Sequence, residues 1–81
     1  MTTAARVADR LKSIRLARGL SVTALSEQTG IADKTLRRHL IRPDMINFGN
    51  FEAICSALDV RSEDVLNLDI DVETILAARA A

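Results

Sequence analysis

Residues 21–40 read SVTALSEQTGIADKTLRRHL, two short helical patterns that meet at Gly30 and Ile31. Ser21 carries an oxygen that can accept a bond from an orphan backbone N–H, so a helix is expected over Val22 to Gln28 or Thr29, with Leu25 as its core anchor. Gly30 ends it, because a residue without Cβ takes the left-handed conformation at no steric cost, and Ile31 follows as an apolar plug. The next helix is expected from about Asp33 to Ile41. Asp33 or Ala32 starts it, Asp33 being read as the cap of its own helix, where an acid also suits the helix dipole. Leu36 and Leu40 stand four apart and turn inward, while Lys34, Arg37, Arg38 and Ile41 face out. Pro43 blocks any continuation.

The flanking segments read as further helices. From about Ala4 to Ala17 the apolar residues Val7, Leu11, Ile14 and Ala17 recur at helical spacing, and Gly19 serves as the C-terminal cap. RPDMINFGN, residues 42–50, is a loop expected to touch the core through Ile46 and Phe48. A fourth helix, about Asn50 to Leu58, follows from Phe51, Ile54, Cys55 and Leu58, and a short fifth spans about Ser62 to Leu66. The tail carries two patterns at once. Leu66, Leu68, Ile70 and Val72 alternate with polar residues like a half-buried strand, whereas Val72, Ile75, Leu76 and Arg79, preceded by Asp71 as a cap, read as a helix. A short extended piece followed by a sixth helix is the reading adopted. Its apolar residues need cover, either from their own core or from a second copy of the chain.

Length and composition narrow the function. Eighty-one residues suffice for one compact domain and not two. No apolar run approaches the roughly 20 residues that cross a bilayer, and MTTAARVADRLK lacks the apolar core of a signal peptide, so a cytoplasmic protein is expected. Cys55 is the only cysteine; it excludes an internal disulfide and reads as a buried apolar thiol. His39 is the only histidine, in a different helix from Cys55. With no phosphate-binding glycine loop and no metal spacing, neither an enzyme nor a cofactor or metal is expected.

The net charge of zero hides a division. Up to Arg42, nine cations against three acids leave +6; from Pro43 onward, two cations against eight acids leave −6. Such asymmetry points to a polyanion on the basic side, because the field that steers nucleic acid is local; the alternative is attraction between the halves within the fold. Two helices joined by a tight glycine turn, the second with an exposed cationic face, are what a helix-turn-helix requires. A helix is roughly 10 to 12 Å across, close to the roughly 12 Å of the major groove.

LKSIRLARGLSVTALSEQTGIADKTLRR, residues 11–38, resembles the lambda-repressor-like DNA-binding domains, the group that includes phage Cro and repressor proteins. Leu11, Arg15, Gly19, Leu20 and Ser21 match the beginning of its pattern; Leu25, Gly30, Ile31, Thr35, Leu36 and Arg38 match its two-helix unit. FEAICSALDV is similar to the group's fourth helix, which commonly ends Ala-Leu-Gly-Val, and SEDVL looks like the fifth. The resemblance spans roughly residues 7–68. It implies an all-α, five-helix bundle with a helix-turn-helix over residues 1–68, followed by residues 69–81 as a C-terminal extension and candidate dimerisation segment.

The resemblance also implies the contacts. Base-reading positions fall on Asp33, Lys34, Arg37 and Arg38: the arginines suit guanine O6 and N7, Lys34 serves as a point donor, and Asp33 can accept from cytosine N4 or cap its helix. Phosphate positions fall on Ser21, Val22, Thr23, Arg42 and Asn47, with Thr35 turned inward first and a phosphate contact second. Three departures stand out. Val22 replaces a common glutamine and offers only its backbone. Leu40 replaces a common acid, leaving Arg15 to face a phosphate or Glu27. His39 occupies a usually apolar position and reads as a partly buried structural residue. The implied function is a transcriptional repressor, Cro-like or a short bacterial regulator, that binds inverted-repeat double-stranded DNA as a homodimer without a small-molecule effector. The alternative is an antitoxin or protein-binding adaptor on the same fold.

Overall fold

The computed structural model of the chain describes residues 2–78. Six α-helices follow one another: α1 Thr3–Ala17, α2 Val22–Thr29, α3 Asp33–Ile41, α4 Phe48–Ala57, α5 Ser62–Leu66 and α6 Val72–Ala77, with a single 3₁₀ turn at Pro43–Met45. No strand occurs among the described residues: the alternating pattern runs from the end of α5 at Leu66 through turns at residues 67–71 into α6 at Val72. The chain is the all-helical bundle expected, with the extension resolved as a sixth helix.

Local chemistry explains each boundary. The Thr2, Ser21, Asn47 and Asp71 side chains accept the N–H of Ala5, Ala24, Asn50 and Thr74 respectively, each satisfying one of the donors a helix start leaves open. At Asp71, hydrogen bonds from the Thr74 side chain and then from its N–H hold the carboxyl below the usual aspartate range. α1 ends in a Schellman turn: Gly19, at φ +70°, donates to the Leu16 carbonyl, and Leu20 donates to that of Arg15. α4 ends the same way around Asp59, whose φ of +58° is the one left-handed value at a described non-glycine residue. That is the position where the resembled group commonly carries glycine. Arg18 braces this turn, its Nε donating to the Leu58 carbonyl at 2.9 Å and its Nη2 to that of Asp59 at 3.1 Å.

Every helix contributes to one core. Val7, Leu11 and Ile14 from α1, Leu25 from α2, Leu36 from α3, Phe51, Ile54, Cys55 and Leu58 from α4, Val65 from α5 and Ile75 from α6 are buried together. α2 packs on α3 and α4, while α1 packs on α3, α5 and α6. The sequence pattern thus located the core of the first five helices.

Two expectations are corrected. α4 begins at Phe48 rather than Asn50, because Asn47, immediately before Phe48, supplies the cap. Phe48 consequently stands outside the core, 70 % exposed, although Ile46 does pack against it. The tail finds its cover within the same chain: Ile75 is fully buried, Leu68, Ile70, Val72 and Leu76 lean on the core, and Arg10 donates to the carbonyls of Ile70 and Asp64. Arg79, counted with the sixth helix, lies outside the described residues.

Two outcomes follow from this packing. Ile75→Ala should lower folding stability by about 2–5 kcal/mol, the cost of an aliphatic deletion at a site that cannot collapse, read as a shift of the urea or thermal midpoint; a shift under 0.5 kcal/mol would mean that α6 is not part of the core. Burial pushes the Cys55 thiol up to about 12, and the thiolate is the reactive form. A thiol reagent near pH 8 should therefore label Cys55 only in denaturant, and prompt labelling of the native protein would contradict the packing.

Candidate nucleic-acid interface

The turn between α2 and α3 is built from side chains as well as backbone. Gly30 closes α2 at φ +76° with its N–H on the Ser26 carbonyl, 2.9 Å away. The Ser26 hydroxyl donates to the Ile31 carbonyl at 2.6 Å, and the Ile31 N–H donates to Thr29 Oγ1 at 3.2 Å. Ile31 itself is buried. The polar groups of the turn are thus satisfied locally while its one apolar side chain anchors it from below. The start of α3 is thereby held against the end of α2.

α3 then divides by period. Leu36 and His39 are buried, Leu40 and Thr35 half-buried, and Lys34, Arg37, Arg38 and Ile41 exposed. His39 is structural as expected: its ring Nε2 meets the Asn50 side-chain amide at 3.3 Å, which ties α3 to α4. Its Nδ1 is buried with no hydrogen-bond partner among the described residues.

Asp33 does not cap α3. The cap position is Ala32, which has no side-chain bond to offer, and Asp33 sits one residue inside the helix. From there its Oδ2 accepts from Arg37 Nε at 2.7 Å, one turn on, in a pair that is about half exposed on both sides. Such an i, i+4 pair contributes only a few tenths of a kcal/mol to stability. It biases the direction of the Arg37 guanidinium and engages only its Nε.

The remaining positions are placed as follows. Ser21 and Thr23 are exposed and Val22 half-buried at the start of α2, with the Ser21 oxygen already accepting from Ala24. Asn47 uses its side-chain oxygen to cap α4. Arg42 caps the end of α3 and grips Asp44 through two parallel bonds, Nε to Oδ1 at 3.2 Å and Nη2 to Oδ2 at 3.0 Å. Asp44 raises the Arg42 pKa by that hydrogen bonding, and Arg42 lowers that of Asp44. Arg15 donates from Nη1 to the Leu20 carbonyl at 2.9 Å, which locks the turn before α2, and its half-buried side chain also lines the cleft beside α3.

The fold brings Val22 and Arg37 to the walls of one cleft of about 420 Å³, which Lys12, Arg15 and Ile41 also line. Lys12 is the cation that sequence reasoning left out of the site. Its spacing of three from Arg15 on α1 was legible, but only packing reveals that this side of α1 abuts α3.

No described helix is long and apolar enough to cross a membrane. A family model described as the Cro/C1-type HTH DNA-binding domain matches residues 10–71. Comparison with curated proteins and with solved structures returned no match.

Proposed function

This chain belongs to the Cro/C1-type helix-turn-helix DNA-binding domain family, and from that premise we propose that it is a Cro-like transcriptional repressor that binds inverted-repeat operators as a homodimer through α3. The observation that carries the reading is the division of α3: three cations stand exposed on one side while the other side is anchored in the core. A helix held this way can enter a major groove with its outward face toward base edges.

Arg38 forms no ion pair among the described residues, so its guanidinium fork is available to guanine O6 and N7. Arg37, held at Nε by Asp33, keeps its two terminal nitrogens for the same task. Lys34, one turn before Arg38, adds a point donor. Asp33 acts chiefly by aiming Arg37, with cytosine N4 as a second use of its carboxylate.

Phosphate contacts set the register. The open backbone N–H groups of Val22 and Thr23, the Ser21 hydroxyl proton and the Asn47 amide group are donors left over after capping. Thr35 is less accessible. Arg42 keeps one terminal nitrogen for a phosphate while its Nε and Nη2 hold Asp44, and Lys12 and Arg15 extend the basic surface along the cleft beside α3. Two copies on a two-fold axis place their recognition helices about 34 Å apart. Repression then follows from obstruction of the polymerase by the bound pair.

Selection from a random duplex pool tests the reading: an inverted repeat should be enriched, and no enrichment would overturn it. On the selected duplex, Arg38→Ala should cost about 1–3 kcal/mol and relax preference at one base pair, whereas Arg42→Ala should weaken all sequences alike and flatten the salt dependence. Equal effects of both on selected and random DNA would refute the assignment. Asp33→Asn should separate charge from aim, raising affinity for random duplex slightly while narrowing the gap between selected and altered sites. Parallel loss on both duplexes would show that Asp33 does not position Arg37.

A further inference from the structure

The faces of the molecule away from α2 and α3 include one that is neither charged nor covered. α1, the 3₁₀ turn, the start of α4 and the end of α5 surround a cleft of about 370 Å³ whose walls include Val7, Ile46, Phe48, Phe51 and Leu66. Phe48 is 70 % exposed and Leu66 52 %, and Met45, next to two lining residues, is 63 % exposed. Together these three side chains leave on the order of 300–400 Å² of apolar surface in water, the size that on single chains is often functional.

We propose that this cleft is the surface through which two copies of the chain pair. The inference rests on the reading of a paired protein on an inverted repeat and supplies its interface. Three observations favour a second copy as the occupant. The same patch holds both a hollow and a projecting ring, since Phe48 forms one wall and stands out from it; a two-fold axis across that wall sets each ring into the other cleft, as a self-complementary contact demands. The only charged lining residue is Asp44, which Arg42 neutralises, so the patch does not repel its own image across the axis. Pairing removes that exposed area twice, roughly 600–800 Å² from these side chains, the size of a weak contact that joint binding of two half-sites would reinforce.

The lining contains no residue of α2 or α3. Pairing therefore covers none of Lys34, Arg37 and Arg38, while its edge at the 3₁₀ turn adjoins the phosphate positions Arg42 and Asn47. A neutral apolar hollow also offers nothing to a phosphate backbone, which separates this surface from the cationic cleft beside α3.

Sedimentation of the full chain over a range of concentrations, alone and on the selected duplex, tests the proposal. Phe48→Asp is chosen because the ring is outside the core and an acid suits the first residue of α4; Met45→Asp is the second variant, and Leu16→Asp, 60 % exposed at the far end of α1, is the control. Phe48→Asp and Met45→Asp should each weaken pairing at least tenfold, in solution or as cooperative loading of the inverted repeat, with binding to a single half-site unchanged. Leu16→Asp should pair as the wild type does. Wild-type pairing retained in both variants, or a wild type that stays single in solution and loads the repeat without cooperativity, would overturn the surface. Pairing lost in these variants of a protein that enriches no DNA sequence would uphold the surface and refute the repressor reading instead.

Discussion

Gly30 sits at φ +76° and Ile31, next to it, is buried; this pair is the constraint on which the rest of the molecule depends. An added Cβ at Gly30 would meet nothing within 4 Å, so the demand for glycine comes from backbone conformation rather than from crowding. Without the left-handed residue α2 would not turn toward α3, and without the buried plug the turn would not be tied to the core. Ser26 and Thr29 complete it by taking up the polar groups that the sharp turn exposes. The direction of α3, and with it the reach of three cations, is set there.

Charge in this chain is arranged at two scales. The first 42 residues carry +6 and the remainder −6, for a net charge of zero. Within the cationic part, local acids trim the field: Asp33 neutralises Arg37, and at its boundary Asp44 neutralises Arg42. Lys34 and Arg38 form no ion pair among the described residues, so the free positive charge of α3 is concentrated in its outward middle. Arg37 is held through Nε alone and keeps both terminal nitrogens, whereas Arg42 gives Asp44 a terminal nitrogen as well. Both pairs are exposed and contribute little to stability.

The acidic part has a different role within the fold. α4, α5 and α6 bring most of the acids to the outside and their aliphatic residues to the inside, with Arg18 and Arg10 reaching across from α1 to carbonyls at the ends of α4, α5 and the turns before α6. These arginines donate to backbone carbonyls, and Arg10 also helps hold the Asp71 carboxyl low. Attraction between the halves thus includes directed hydrogen bonds from the basic part to the acidic part.

The sequence by itself determined the first five helices, the caps at Ser21, Gly19, Gly30 and Asp71 and most inward residues, since 3.6-residue periodicity and the chemistry of those capping residues act within a few residues of chain. It placed Leu25, Leu36 and Ile54 in the core and Lys34, Arg37 and Arg38 outside it, because a helix stripe can face only one way when it must be buried. It erred where two local signals competed. Asn47 outbid the later helix start and turned Phe48 outward, and the alternation in residues 66–72 resembled a strand because turns can expose every second residue too. Only the tertiary structure decided that the tail packs on α1, that Arg15 bonds within a turn, that Asp33 pairs with Arg37, and that Lys12 lies beside α3. Each of these depends on which helix abuts which, and that is settled by the shared burial of side chains far apart in the chain, a quantity that no local pattern contains.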